Sequence, residues 1–222
     1  MFNSNPILPD MKKATPRHES KTRFLLAALQ VIRAKGYTAT TIDEVCETAG
    51  LTKGSFFHHF ASKEELALAA ADYWTESAGA LFASSPYHAR ADALDRLLAY
   101  VDFRKALLTK ELADFTCLAG TMVQEVYGTH PAIRAACDRS MSGHAETLEP
   151  DIAEAMRKYG VPGEWTAQSL ALFTQAVLQG SFILAKAKGG SEVAEQCLDH
   201  LRRYIELLFQ QKGVTAWPGP AS

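Results

Sequence analysis

The stretch AGLTKGSFFHHF, Ala49 to Phe60, sets Thr52, Lys53, Gly54 and Ser55 directly ahead of Phe56, Phe57, His58, His59 and Phe60. Three chemistries use such residues: metal ligation by paired histidines, an aromatic clamp, and a short helix whose first turn reads a polyanion. Adjacent side chains on a helix stand about 100° apart, so His58 and His59 cannot close on one ion, and no i, i+4 histidine pair accompanies them. The four cysteines, Cys46, Cys117, Cys137 and Cys197, show no paired close spacing, so neither a zinc site nor a disulfide framework is expected, and a reducing cytosol fits them. No nucleophile elbow, HExxH, Walker or dinucleotide glycine fingerprint occurs, so no catalytic set, cofactor or metal is expected. Two hydroxyls, an ammonium and a glycine at a helix start suit contact with base edges and phosphates, because the glycine admits a close backbone and the helix end favours negative charge.

The surrounding elements must hold that turn outward. From Lys21 to Lys35, Leu25, Ala28, Leu29 and Ile32 recur at i, i+3, i+4 and i+7, and Gly36 follows as a terminating glycine. Thr41 stands three residues before Glu44, a capping box, and the short helix it opens carries Ile42, Val45 and Ala49 inward until Gly50. Thr52 caps the next helix, which runs through Phe60 with Phe56 and Phe60 as core rings, and Ser62 caps another beginning at Lys63. Two short capped helices around a glycine turn have helix-turn-helix spacing, which presents Thr52, Lys53, Gly54 and Ser55 to a major groove. A plain interhelical corner has the same spacing, so charge is the discriminator. Residues 1–63 carry a net +4 and residues 64–222 a net −6. A basic first third on an acidic body suits one end that meets a polyanion.

The chain of 222 residues has 47% hydrophobic and 22% charged residues, as expected of a soluble globular protein. Beyond Lys63 no strand pattern is found, and breakers at Ser84-Ser85-Pro86, His130-Pro131, Glu149-Pro150, Gly160 to Gly163 and Gly189-Gly190 divide further helices. The fold class expected is all-α. Residues 1–17 read as a flexible basic arm, and Lys12, Lys13, Arg17, Lys21 and Arg23 lie on or just before the first helix. Residues 214–222 read as a fraying tail. The uncharged run Trp165 to Ala185 holds Gln168, Ser169, Thr174, Gln175, Gln179 and Ser181, so it reads as a packed helix and no membrane partner is expected. One apolar stripe is expected along Leu170, Phe173, Val177 and Leu184, with Ala176 and Gly180 leaving room for a second backbone, and another along Val193, Cys197, Leu201, Tyr204 and Leu208.

The segment LLAALQVIRAKGYTATTIDEVCETAGLTKGSFFHHFASKEEL, with its G-Y, T-T-I, A-G, K-G, H-F and S-K-E-x-L pattern, resembles the TetR family of one-component transcriptional regulators. The resemblance implies a helix-turn-helix domain over 18–63 and a larger helical effector-binding and dimerisation domain over 64–213. It implies Thr41 as a phosphate-touching cap, Thr52, Lys53, Gly54 and Ser55 in the groove, and His59 and Lys63 on the DNA backbone. Phe57 stands where the family usually has a tyrosine, removing a phosphate-seeking hydroxyl whose role His58 is placed to share. The basic arm is expected to reach along the DNA backbone or into the minor groove, adding sequence-independent affinity. Trp74, Phe82, Tyr100, Phe103, Phe115, Met122, Tyr127 and Met141 fall on helices that enclose an effector pocket in similar proteins. Cys117, in FTCLAG, is similarly placed to the reactive thiol of electrophile-sensing members, with Lys105, Lys110 and Lys186 as candidate neighbouring cations. The implied protein is no enzyme but a cytoplasmic homodimer, a repressor released from a palindromic double-stranded DNA operator by a small-molecule effector. Three other readings stay open: a switch through oxidation or alkylation of Cys117, an adaptor whose helix-turn-helix face takes a protein partner, and a helical enzyme acting through Cys117 or a histidine.

Overall fold

Capping signals and apolar stripes in the sequence account for an all-helical chain. The computed structural model describes residues 16–109, 111–161 and 165–210. Among them run α1 (Pro16–Lys35), α2 (Ile42–Ala49), α3 (Lys53–His59), α4 (Lys63–Ala83), α5 (Ala93–Ala106), α6 (Leu112–Phe115), α7 (Leu118–Val126), α8 (Pro131–Glu146), α9 (Glu149–Tyr159), α10 (Ala167–Lys188) and α11 (Glu192–Gln210). A 3-10 turn, Pro86–Ala89, joins α4 to α5, and no strand occurs among the described residues. Arm residues Lys12 and Lys13, the side chain of Arg17, Lys110, Pro162-Gly163 and the tail 214–222 lie outside what is described.

The helices form two cores. In the first, Phe24, Leu29 and Ile32 of α1 meet Val45 and Phe56 of the helix-turn-helix, Leu66 and Trp74 of α4, Met122 of α7 and Ile133 of α8. In the second, Phe82, Leu97, Tyr100 and Phe115 meet Ile152, Leu178, Phe182, Leu198, Leu201 and Ile205. The expected boundary after Lys63 falls at the first residue of α4. That helix supplies Leu66, Ala67, Ala70, Ala71 and Trp74 to the first core and Phe82 to the second, so packing is continuous across it. The first helix also begins earlier than its apolar stripe, because Pro16 occupies the first helical position, where a missing N–H costs nothing.

Helix α10 has the length and hydropathy of a membrane span, with 44% of its most apolar window buried against the rest of the fold. It packs on α8, α9 and α11. The expected stripes split in two. Leu170 and Leu201 are buried, whereas Phe173, Leu184 and Tyr204 face outward with Leu172, Ile183 and Leu207 as an exposed apolar face. Phe173 and Tyr204 join the two helices on that face, their ring centroids 5.0 Å apart.

Candidate nucleic-acid interface and internal cavity

The outward turn is built by caps. The Thr41 hydroxyl accepts from the Glu44 N–H at 3.3 Å, and the Glu44 carboxylate accepts from the Thr41 N–H at 3.1 Å, so the capping box is complete. Lys35 also reaches that carboxylate, and its hydrogen bond, ahead of those from Thr41, holds the Glu44 pKa down at about 2. Gly50 ends α2 at φ 62°, a left-handed conformation that suits glycine. The Thr52 hydroxyl accepts from the Ser55 N–H at 3.2 Å and starts α3. Phe56 is fully buried against Phe24, with ring centroids 5.6 Å apart, which anchors α3 and turns its opposite side outward. Thr52, Lys53, Gly54, Phe57 and His58 are exposed, and Ser55 is half-buried. No acidic residue lies in the first turn of α3. Lys53 itself rests 2.7 Å from the Asp43 carboxylate on α2, which raises the Lys53 pKa and keeps the ammonium charged.

Other cations expected on DNA are engaged in the fold. Arg23 donates to the carbonyls of Ala49 at 2.5 Å and Gly50 at 3.3 Å, covering the end of α2, so its guanidinium serves the helix-turn-helix from inside rather than as part of the arm. Lys63 donates to the carbonyls of Tyr37, Thr38 and Thr40 at 3.1, 3.3 and 3.0 Å and lies over the Tyr37 ring, so its ammonium holds the loop between α1 and α2. His59 is half-buried, with Nε2 2.7 Å from the Ser20 hydroxyl. Lys21 is exposed on α1, and its ammonium lies 5.8 Å from the Phe60 ring centroid.

The same loop is tied to the body. Glu125 of α7 accepts from the Tyr37 N–H at 3.2 Å and the Thr38 N–H at 2.7 Å. Gly36, at φ 92°, fits beneath that carboxylate, where a Cβ would overlap it. Glu125 is not legible as a functional residue in the sequence, because a carboxylate late in a short helix carries no mark of its distant backbone partners.

A cavity of about 310 Å³ opens where the two cores meet. Of the body residues expected at a pocket, Trp74, Phe82, Phe115, Cys117 and Met141 line it. Four expectations are corrected. Met122 is fully buried in the first core, because the apolar face of α7 turns toward α1, α4 and α8. Tyr127, beyond the end of α7, is 63% exposed. Phe103 packs behind Phe82 and Tyr87, with ring centroids 5.6 and 5.9 Å away. Tyr100 is buried behind the wall, its hydroxyl 2.8 Å from Nε2 of the lining residue His144. Lining residues not expected from sequence include Arg104, His144, Gln175 and Phe182. Arg104 continues the buried stripe Ala93, Leu97, Tyr100 and Val101, and a charge on an apolar stripe is the signal that could have found it.

Cys117 is the N-cap of α7, its Sγ 3.4 Å from the Gly120 N–H. It also lines a second cleft of about 210 Å³ with Glu125 and Lys186. Lys186 donates to the Thr121 hydroxyl at 2.8 Å; withdrawal from solvent lowers its pKa, against the opposing pull of Cys117 and Glu125. Lys105 is instead paired with Asp199 at 2.7 Å. Among the described residues no group of three or more His, Cys, Asp or Glu could hold a metal ion.

Comparison with known proteins supplies the family. Residues 24–70 match the pattern described as bacterial regulatory proteins, tetR family, and residues 93–201 match that of the tetracyclin repressor-like C-terminal domain. The chain belongs to the TetR family. It is a DNA-binding transcriptional regulator, and the TetR family is one of regulators, not of enzymes. The chain is 25% identical over 206 residues to the transcriptional repressor NemR of Escherichia coli, covering 88% of this chain and 98% of NemR. A 57-residue match, 40% identical, to the uncharacterized regulator YerO of Bacillus subtilis spans 26% of this chain and only 20% of YerO. The crystal structure of reduced E. coli NemR superposes with TM-score 0.72 at 22% identity, covering 84% of this chain and 96% of that one. A TetR-family regulator from Agrobacterium tumefaciens superposes with TM-score 0.75 at 17% identity, covering 85% and 98%. TetR-family structures thus share this order of a helix-turn-helix domain followed by a larger helical domain.

Proposed function

We propose that the protein is a homodimeric repressor that holds a palindromic operator with α3 of each copy and leaves it when a small molecule fills the cavity. The observation that carries this reading is the exposed first turn of α3, Thr52, Lys53 and Gly54, set on a buried Phe56 beside a loop pinned to α7. The DNA-binding set is that turn with Ser55, Phe57 and His58; Thr41, His59 and Lys63 orient it through the contacts described. Phe57 offers a ring but no hydroxyl, so it packs against the sugar-phosphate edge while His58 supplies the polar contact. The exposed apolar face of α10 and α11 supports pairing of two copies, and a two-fold protein requires a two-fold site. The relative NemR is named a repressor, which favours that sense of regulation. Cys117 caps α7 and lines the cavity, and Glu125 of the same helix holds the loop that opens α2, so occupancy of the cavity has a short route to the reading head. Release requires only that the effector prefer the unbound arrangement by about 1 to 3 kcal/mol. Selection of binding sites from random double-stranded DNA tests the reading: a two-fold symmetric sequence is expected, and Lys53→Ala should weaken it about 10-fold or more and relax the bases it contacts. Enrichment indifferent to that substitution rejects the assignment of Lys53.

A second reading has its own observation. Cys117 borders both the cavity and the cleft that holds Lys186, half-buried at the start of α7. In it, alkylation or oxidation of Cys117 displaces the start of α7 and acts as the effector does.

A further inference from the structure

The cavity wall is mostly apolar, yet two under-satisfied donors line it. Arg104 of α5 lies 5.0 Å from the Phe82 ring centroid and 5.9 Å from that of Phe182, with no hydrogen-bond or carboxylate partner among the described residues. Gln175 of α10 is 7% exposed and lines the cavity, and its Nε2, close to the Tyr100 hydroxyl, makes no well-aligned hydrogen bond among the described residues. Both lie beside the buried Tyr100: burial pushes that phenol up, and the Arg104 cation and the Gln175 amide pull it down. The lining residue His144 is held neutral by burial and by the Arg104 charge, down at about 3. Among the described residues no aspartate or glutamate lines the cavity. A cation without a carboxylate and an amide with only a poorly aligned contact to a phenol are under-satisfied beside an apolar chamber, and a ligand that brings acceptor oxygens relieves both at once.

We infer that the cavity binds a small apolar acid, its carboxylate taken by Arg104 and Gln175 and its hydrocarbon body lying among Trp74, Phe82, Phe115 and Phe182. One guanidinium and one amide match the single charge and two oxygens of a carboxylate, whereas a phosphate has more charge and more oxygens than these donors answer. A chamber of about 310 Å³ with aromatic walls suits a ring or a short alkyl chain. This deepens the effector reading of the same cavity and rests on it for any effect on DNA.

Isothermal titration of the full chain with cinnamate and hexanoate, against cinnamamide and hexanamide, tests the inference. The acids should bind at least about 10-fold more tightly than their amides, because only they offer a charged acceptor. Arg104→Gln should erase that preference with the helical circular dichroism intact, and Gln175→Leu, which keeps the bulk of the wall, should weaken the acids and carries the test if Arg104→Gln does not fold. Amides that bind as tightly as acids, acids that fail to bind at millimolar concentration, or unchanged acid affinity in the folded variants would overturn it. Operator release is measured separately. Acid binding without release upholds the ligand class and rejects the release mechanism, while release by uncharged compounds that bind better than acids does the reverse.

Discussion

Of the four thiols, Cys137 is sealed in the first core, where burial pushes it up to about 12, and burial raises Cys46 as well, while Cys117 lies half-buried at the start of α7. Timed alkylation mapped by mass spectrometry should therefore mark Cys117 well before Cys137, by about 10-fold or more. Equal rates at Cys117, Cys137 and Cys197 would remove the second reading. His144 gives a pH dependence with a definite sign. Its folded pKa lies near 3 against 6.5 for the free side chain, mainly through burial. Above about pH 6.5 it is neutral whether folded or not, and no stability is lost. Below that, the unfolded chain takes up a proton that the folded chain refuses, so stability falls by about 1 kcal/mol per pH unit toward pH 3. Thermal melts of the parent and His144→Gln between pH 6.5 and 5 should diverge in slope, with the parent the steeper. Thr52 to Ser55 were legible because caps and a glycine turn announce an exposed helix start. Arg104, Gln175 and His144 were not singled out, because a polar residue on an apolar stripe shows where it sits but not which distant helices complete its surroundings.

At the scale of elements, the helix-turn-helix depends on a side chain from α1. Arg23 covers the last carbonyls of α2, and a Cβ at Gly50 would meet its Nη2 at 2.9 Å. Arg23→Ala should lower stability by about 1 to 2 kcal/mol, as loss of a charged hydrogen bond to a helix end does. Gly50→Ala should cost as much or more, because it adds the left-handed backbone to that crowding. Denaturant melts of both variants check this, and an unchanged midpoint in Arg23→Ala would show the cap to be idle. The helices themselves were legible from local signals: Thr41, Thr52 and Ser62 each cap a helix as their hydroxyls suggest. The two faces of α10 were not separable, since Leu170 and Phe173 look alike until α8, α9 and α11 cover one of them.

Across the whole molecule, the outer face of α10 and α11 exposes Leu172, Phe173, Ile183, Leu184, Tyr204 and Leu207, large apolar side chains of the kind that mark a contact surface when they cluster. Introducing a charge with Leu184→Glu should shift the protein to monomers in light scattering after size exclusion and weaken operator binding, while circular dichroism stays helical. A variant that remains dimeric would place the pairing surface elsewhere. The contact between Glu125 and the loop after Gly36 bears on engineering. Two amides of the reading head find their acceptor only on a helix encoded some ninety residues later, as the 87- and 88-residue separations show. A chimera that transplants residues 16–83 onto a foreign scaffold therefore inherits a graft site with a vacant socket. To work, such a hybrid must import a carboxylate at the equivalent spot and keep a glycine under it.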